Sequence, residues 1–127
     1  MSKTVILTPD APKPVSAYSQ AIRSGSLLFL AGQIPLDPGT GKVVSGTIAE
    51  ETDRVMANVR AVLSAAGATL DQVVKTTVYL TNMADFAAFN EAYSRYFPSE
   101  PPARSTVAVA ALPLGVRVEV EAIAVLP

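Results

Sequence analysis

Residues 116–125 alternate strictly at their start: Val116, Val118 and Val120 are apolar, while Arg117, Glu119 and Glu121 are charged. A period of two fits a pleated strand, with the three charges on one face and the valines on the other. The turn-rich Leu112-Pro113-Leu114-Gly115 precedes it, and before that residues 103–110 read as another strand, with Arg104 placed just after a Pro-Pro pair. The surrounding segments are apolar enough to cover both faces of a sheet. Burying an arginine or glutamate without compensation is costly, so these charges call for a cleft, a partner or a ligand.

The rest of the chain supplies the sheet and its cover. Val5-Ile6-Leu7 reads as an edge strand entering a Pro-rich loop over residues 9–14, with Tyr18 in a loop setting beyond it. Residues 20–23 and Leu27-Leu28-Phe29-Leu30-Ala31 read as strands split by Ser24-Gly25-Ser26, a hairpin signal. The second run lacks alternation, which predicts burial on both faces, under a helix on one side and under something else, such as a neighbouring subunit, on the other.

After the turn Asp37-Pro38-Gly39-Thr40-Gly41-Lys42, a helix is expected. Thr47-Ile48-Ala49-Glu50 has capping-box spacing, Ile48, Val55, Val59, Val62, Leu63 and Ala66 share one face, and Gly67 is placed as the C-cap. Residues 73–80 are β-branched and aromatic, hence a strand, and Asn82-Met83-Ala84-Asp85 starts a second helix bearing Phe86, Phe89, Tyr93 and Phe97 before Pro98 stops it. The order is β-β-β-α-β-α-β-β. This is a single α+β domain over residues 1–127, a mixed sheet with two helices on one face, and the opposite face is most simply covered by other copies in a closed ring.

Composition agrees with shared surface. Of 127 residues half are apolar and 17% charged, with a mean hydropathy of +0.34, high for a small monomer. The formal net charge of −1 and scattered basic residues predict no electrostatic footprint for nucleic acid or an anionic membrane. With no His and no Cys, a thiol nucleophile, a Ser-His triad, a disulfide and an ordinary zinc site are excluded, so proton transfer falls to Asp, Glu, Lys, Tyr or water. Met1-Ser2-Lys3-Thr4 leads into no secretory h-region and no run reaches membrane-spanning length, so a soluble cytoplasmic protein is expected.

Six blocks carry a resemblance. Tyr18-Ser19-Gln20-Ala21, Ala31-Gly32-Gln33-Ile34-Pro35, Val74-Lys75-Thr76-Thr77-Val78, Phe89-Asn90, Pro102-Ala103-Arg104-Ser105 and Val118-Glu119-Val120-Glu121-Ala122 are similar, in this order, to the successive motifs of the YjgF/RidA family of reactive intermediate deaminases. The likeness runs from about residue 3 to residue 125. It implies a homotrimer of chorismate-mutase-like fold, sheets facing a central barrel, with three clefts at the subunit boundaries. It also implies the activity of a 2-iminobutanoate/2-iminopropanoate deaminase, hydrolysing enamines and imines such as 2-aminoacrylate to 2-oxo acids and ammonia, without metal or organic cofactor.

Carried over residue by residue, the resemblance makes Arg104 the carboxylate-binding group, a role that suits its planar fork; an ordinary ion pair is the plainer alternative. Glu119 matches the acidic residue that positions or activates water, although strand alternation treats Glu121 alike and Arg117 could neutralise either. Tyr18 matches a wall over the ligand or packs on a neighbour. Asn90 matches a helix asparagine near the cleft or is a surface amide, Phe89 beside it reads as substrate contact or core, and Gly32 offers its backbone to the ligand or lets strands approach. Two positions depart from the family pattern: Ala31 stands where archetypal bacterial members have serine, and Thr106 where many have cysteine. Thr106 can hydrogen-bond a water but cannot do thiol chemistry. The expected mechanism docks the imino acid on Arg104 and the backbone near Gly32 while Glu119 and Thr106 hold a water. A non-enzymatic trimer that binds or senses 2-oxo acids is the rival reading, and a nuclease or translation inhibitor a third.

Overall fold

A computed structural model describes residues 3–127; Met1 and Ser2, part of the N-terminal reading above, lie outside the described residues. The strands are β1 (Thr4–Ile6), β2 (Ala21–Ser24), β3 (Leu27–Gln33), β4 (Val73–Leu80), β5 (Ala103–Ala108) and β6 (Val118–Val125), with helices α1 (Ile48–Ala65) and α2 (Phe86–Ser94). The chain order is therefore the one expected. Both late strands are shorter than read, because Pro113–Gly115 winds into a 3-10 turn and β6 begins only at Val118.

Local chemistry accounts for the ends of these elements. Gly25, at φ +62°, makes the two-residue link between β2 and β3, where Ser24 faces Leu27. Thr47 and Glu50 form the reciprocal capping box at the start of α1, worth about 1 kcal/mol. At its other end the cap is Ala66 rather than Gly67. Gly67 follows at φ +77°, donating to Ser64, while Ala68 donates to Leu63, which is the Schellman arrangement. In α2 the helix ends at Ser94, so Phe97 lies beyond it, yet its ring still packs 5.0 Å from that of Tyr93.

The six strands form one sheet in the order β1-β2-β3-β6-β4-β5. All pairs are antiparallel except β4 and β5, which α2 connects by a crossover. Both helices lie on one face. Val55, Val59 and Leu63 of α1 are buried against Leu28, Val78 and Val120 of the sheet, while the Tyr93 hydroxyl of α2 meets Thr76 Oγ1 of β4 at 2.7 Å. Among the described residues no helix is long and apolar enough to cross a membrane.

Within one chain the helices cover one of the two faces of β3. Leu28 and Leu30 are 0% and 5% exposed under the helices, but Leu27 and Phe29 are 40% and 42% exposed on the other face. Val107 and Val125 add to this open apolar surface, so within one chain the uninterrupted run is half covered. Between Leu30 and Gln33, β3 bulges against β6: two residues, Ala31 and Gly32, occupy the span that β6 crosses with Glu121 alone.

Candidate active site

The alternation of β6 survives in three dimensions. Val118, Val120, Ala122 and Ala124 are buried toward the helices, and Glu119, Glu121 and Ile123 face the open side. On β5 the register settles the other half. Arg104 pairs with Thr76 and Thr106 with Val78, both of which lie under the helices, so Arg104 and Thr106 share the helix-covered face. Within one chain, then, Thr106 and Glu119 stand on opposite faces of the sheet, so a water held by both needs one group from each of two copies.

Arg104 is held by α2. Its guanidinium lies 5.1 Å from the ring centroid of Tyr93 and 5.3 Å from that of Phe86, and one amino group donates to Asn90 Oδ1 at 2.7 Å. No other hydrogen bond of this guanidinium forms among the described residues, leaving several donors of its fork for an anion. A cleft of about 320 Å³ opens here, lined by Asn90, Tyr93, Phe97, Pro101, Pro102 and Arg104. Burial raises the Tyr93 phenol above its ordinary range, with the Thr76 bond and the Arg104 charge working against it. The Thr106 hydroxyl is buried and has no partner among the described residues. Phe89 is 0% exposed and stacks 5.2 Å from Tyr93, so it belongs to the core and not to the cleft wall. Phe89 and Asn90 flank the Phe86–Tyr93 stripe of α2 on either side, Phe89 on the side of the core and Asn90 on the side of Arg104.

The second group gathers across the sheet. A pocket of about 450 Å³ is lined by Pro12, Tyr18, Gly32, Ile34, Leu114 and Glu119, among others. The Glu119 carboxylate turns toward β3 and lies over Gly32, so close that a Cβ on residue 32 would displace it. Glycine there is what lets the carboxylate take this position. Glu119 accepts no hydrogen bond among the described residues, and burial, followed by the charge of Glu121, raises its proton affinity above the carboxylate norm. Tyr18 stands exposed at the rim, and Ala31 is half-buried in the bulge with its N–H committed to the Gln20 carbonyl at 3.0 Å.

Arg117 neutralises neither Glu119 nor Glu121. It leaves the strand before β6 begins and pairs with buried Glu51 of α1, also donating to the Gly46 carbonyl. Glu121 instead accepts from the Tyr79 hydroxyl, directed from β4. Two further organisers were not singled out from sequence. The buried Gln20 amide accepts from the Thr8 N–H at 2.7 Å and donates to the carbonyls of Thr8 and Pro12, both at 3.0 Å, pinning the loop that walls the Glu119 pocket. Asn58 of α1 donates to the Ile34 and Leu36 carbonyls at 3.1 and 2.9 Å, fixing the opposite wall. The signal for Gln20 was present: a loop with prolines at 9, 12 and 14 has carbonyls in excess of N–H donors and needs an outside amide. Among the described residues no three acidic side chains gather as a metal ion would need.

Comparison with known proteins now bears on this geometry. A family model described as Endoribonuclease L-PSP matches residues 8–126. A RutC family protein of Pyrococcus abyssi is 55% identical over 124 residues, covering 98% of each chain. The 2-iminobutanoate/2-iminopropanoate deaminase of Mus musculus is 46% identical over 123 residues, covering 97% of this chain and 91% of that one. The crystal structure of E. coli TdcF with bound serine superposes with a TM-score of 0.93 at 38% identity, covering 98% of this chain and 99% of that one.

Proposed function

The chain belongs to the YjgF/RidA family, and from that premise we propose that it hydrolyses small 2-imino acids to 2-oxo acids and ammonia at sites completed between copies of itself. The observation that carries this reading is the division of the site. A carboxylate-binding fork, Arg104, and a glutamate of raised proton affinity, Glu119, lie on opposite faces of one sheet, beside an open apolar surface. A second copy that covers this surface with its Arg104 edge brings the two halves together, and closure of three such contacts gives a homotrimer around a barrel. The relative whose structure holds serine binds a small α-carboxylate of the size and charge that Arg104 would take.

In the proposed reaction the imino-acid carboxylate docks on the donors of Arg104 that Asn90 leaves free. Glu119 of the adjoining copy accepts a proton from water as the water oxygen adds to the C=N carbon, and hands that proton to the nitrogen, giving a carbinolamine. Glu119 then takes the carbinol hydroxyl proton and delivers it to the amino group as the carbonyl forms and the C–N bond breaks, and 2-oxo acid and ammonia depart. Each proton that Glu119 accepts it returns, so the step needs no other acid or base. The imine also hydrolyses in free solution, and placement need supply only a few kcal/mol of barrier lowering. RNA cleavage, which the family description names, has less support from a chain of net charge −1 without histidine.

The test measures ammonia and oxo acid released from freshly generated 2-aminoacrylate by the wild type and by Arg104→Ala. Equal rates remove the proposal. Glu119→Gln separates the enzyme from a mere binder, since it should stop turnover yet leave 2-oxo acid binding intact.

A further inference from the structure

The open face of the sheet carries two carboxylates two residues apart, and the fold treats them differently. Glu119 lies directly across from Tyr79 in the β4–β6 register, and Glu121 across from Thr77. The Tyr79 hydroxyl nevertheless bonds diagonally to Glu121. The reason lies on the far side of β6: the bulge sets Gly32 beside Glu119, and the missing Cβ leaves room for that carboxylate to turn toward β3, away from Tyr79. One glutamate is tethered, and the other is left free in the pocket.

We infer that Tyr79 is a positioning residue for the proton chemistry at Glu119: its hydroxyl fixes Glu121 as the neighbouring anion, leaving Glu119 as the group that takes and returns the proton. A fixed carboxylate beside Glu119 raises the hold of Glu119 on a proton, in the direction that burial already sets. The donor itself is secure. The bond to Glu121, with burial and the two nearby carboxylates, pushes the Tyr79 phenol up to about 12, so it keeps its hydrogen throughout the working range. The other titratable groups around Glu119 are Tyr18 and Lys13, which line its pocket from the N-terminal loop. Lys75 stands further along β4, and Arg117 is committed to Glu51. None of these reaches the tether. This inference rests on the deaminase reading for its consequence in catalysis, and on the Tyr79–Glu121 bond for its structure.

The experiment follows Glu119 directly. In protein labelled with ¹³C at glutamate Cδ, the pH titration of Glu119 is recorded for wild type, Tyr79→Phe and Glu121→Gln, alongside the pH profile of kcat/KM on 2-aminoacrylate. Glu121→Gln should move the Glu119 midpoint and the acid limb of kcat/KM together to lower pH. Tyr79→Phe should move both in the same direction by less, with KM within about twofold of wild type because Arg104 is untouched. A purely structural tyrosine would lower stability and leave the midpoint in place. A Tyr79→Phe midpoint that coincides with wild type overturns the inference whatever Glu121→Gln does, and Tyr79→Leu, likewise without a hydroxyl, is read in the same way if Tyr79→Phe does not fold. A wild type that releases no ammonia sinks the deaminase reading instead, while the NMR titration still decides the tether.

Discussion

Arg104 and Glu119 stand on opposite faces of one sheet, two strands apart, and no rotamer of either brings them together through the strand that separates them. If the complete site joins two copies, inactive variants can repair each other. Arg104→Ala and Glu119→Gln, each inert alone, should regain activity when unfolded together in equal amounts and refolded. Each site needs an intact arginine from one contributor and an intact glutamate from the other, so about a quarter of the wild-type rate is expected. Activity that stays at the background of the separate variants would place both groups in the same copy.

Phe29 is 42% exposed on the open face, next to Leu27. An aspartate there puts a charge into the surface that copies are proposed to share, a change costing several kcal/mol per contact when no partner charge is present. Phe29→Asp should sediment as a single chain with an unaltered far-ultraviolet spectrum, and its turnover should fall at least roughly tenfold. An unchanged sedimentation coefficient would remove the open face from the assembly.

The contact between Gly32 and Glu119 predicts a paired effect. In Gly32→Ala the new methyl occupies the position of Glu119 Oε2, so the flexible carboxylate has to swing aside while the backbone, which is not in a left-handed conformation, stays in place. The variant should melt within a few degrees of wild type and lose about 10- to 100-fold in kcat. Glu119→Asp, one methylene shorter, should restore part of that loss in the double variant. A double variant no better than Gly32→Ala would mean that the methyl acts through something other than the carboxylate.

Glu119 also leaves a signature in stability. Its folded proton affinity is raised above the ordinary carboxylate value of 4.5. Between that value and the folded midpoint the native chain therefore holds a proton that the unfolded chain has released, and stability falls as pH rises through this window. Glu119→Gln has no such titration. At pH 7 it should be the more stable protein by on the order of 1 kcal/mol, kept small by solvent screening of a half-buried group, and the gap should close below pH 4.5. Denaturant midpoints across the pH range measure it, and an advantage that persists in acid would assign the gain to packing.

Much of this was legible in local pattern. The period of two in residues 116–125 put Glu119 and Glu121 on one face, Gly25 marked the hairpin, and Thr47 with Glu50 marked the start of α1. These features depend on neighbours within a few residues. What the sequence did not reveal was non-local: which strands adjoin, and in what register. The face of Arg104 relative to Glu119 follows from β4 standing between β5 and β6, and the length and packing of α2 set that arrangement. The partners of Arg117 and Glu121 lay 66 and 42 residues away along the chain, beyond any period in the sequence. Phe89 and Asn90 both lie three or four residues from Phe86 and Tyr93, so helical spacing treats them alike and only the packing of α2 assigns one to the core and the other to the cleft.

Among the described residues β5 has a strand neighbour on one side only. The ribbon that carries Arg104 is fastened by β4 and by the packing of α2, while β6, with Glu119, is flanked on both sides. Edge ribbons detach at lower free energy than interior ones, through fluctuations that leave the remaining layers intact. On slow warming, substrate capture should therefore fade while the bulk of the molecule still gives its native circular dichroism, so the protein falls silent before it melts.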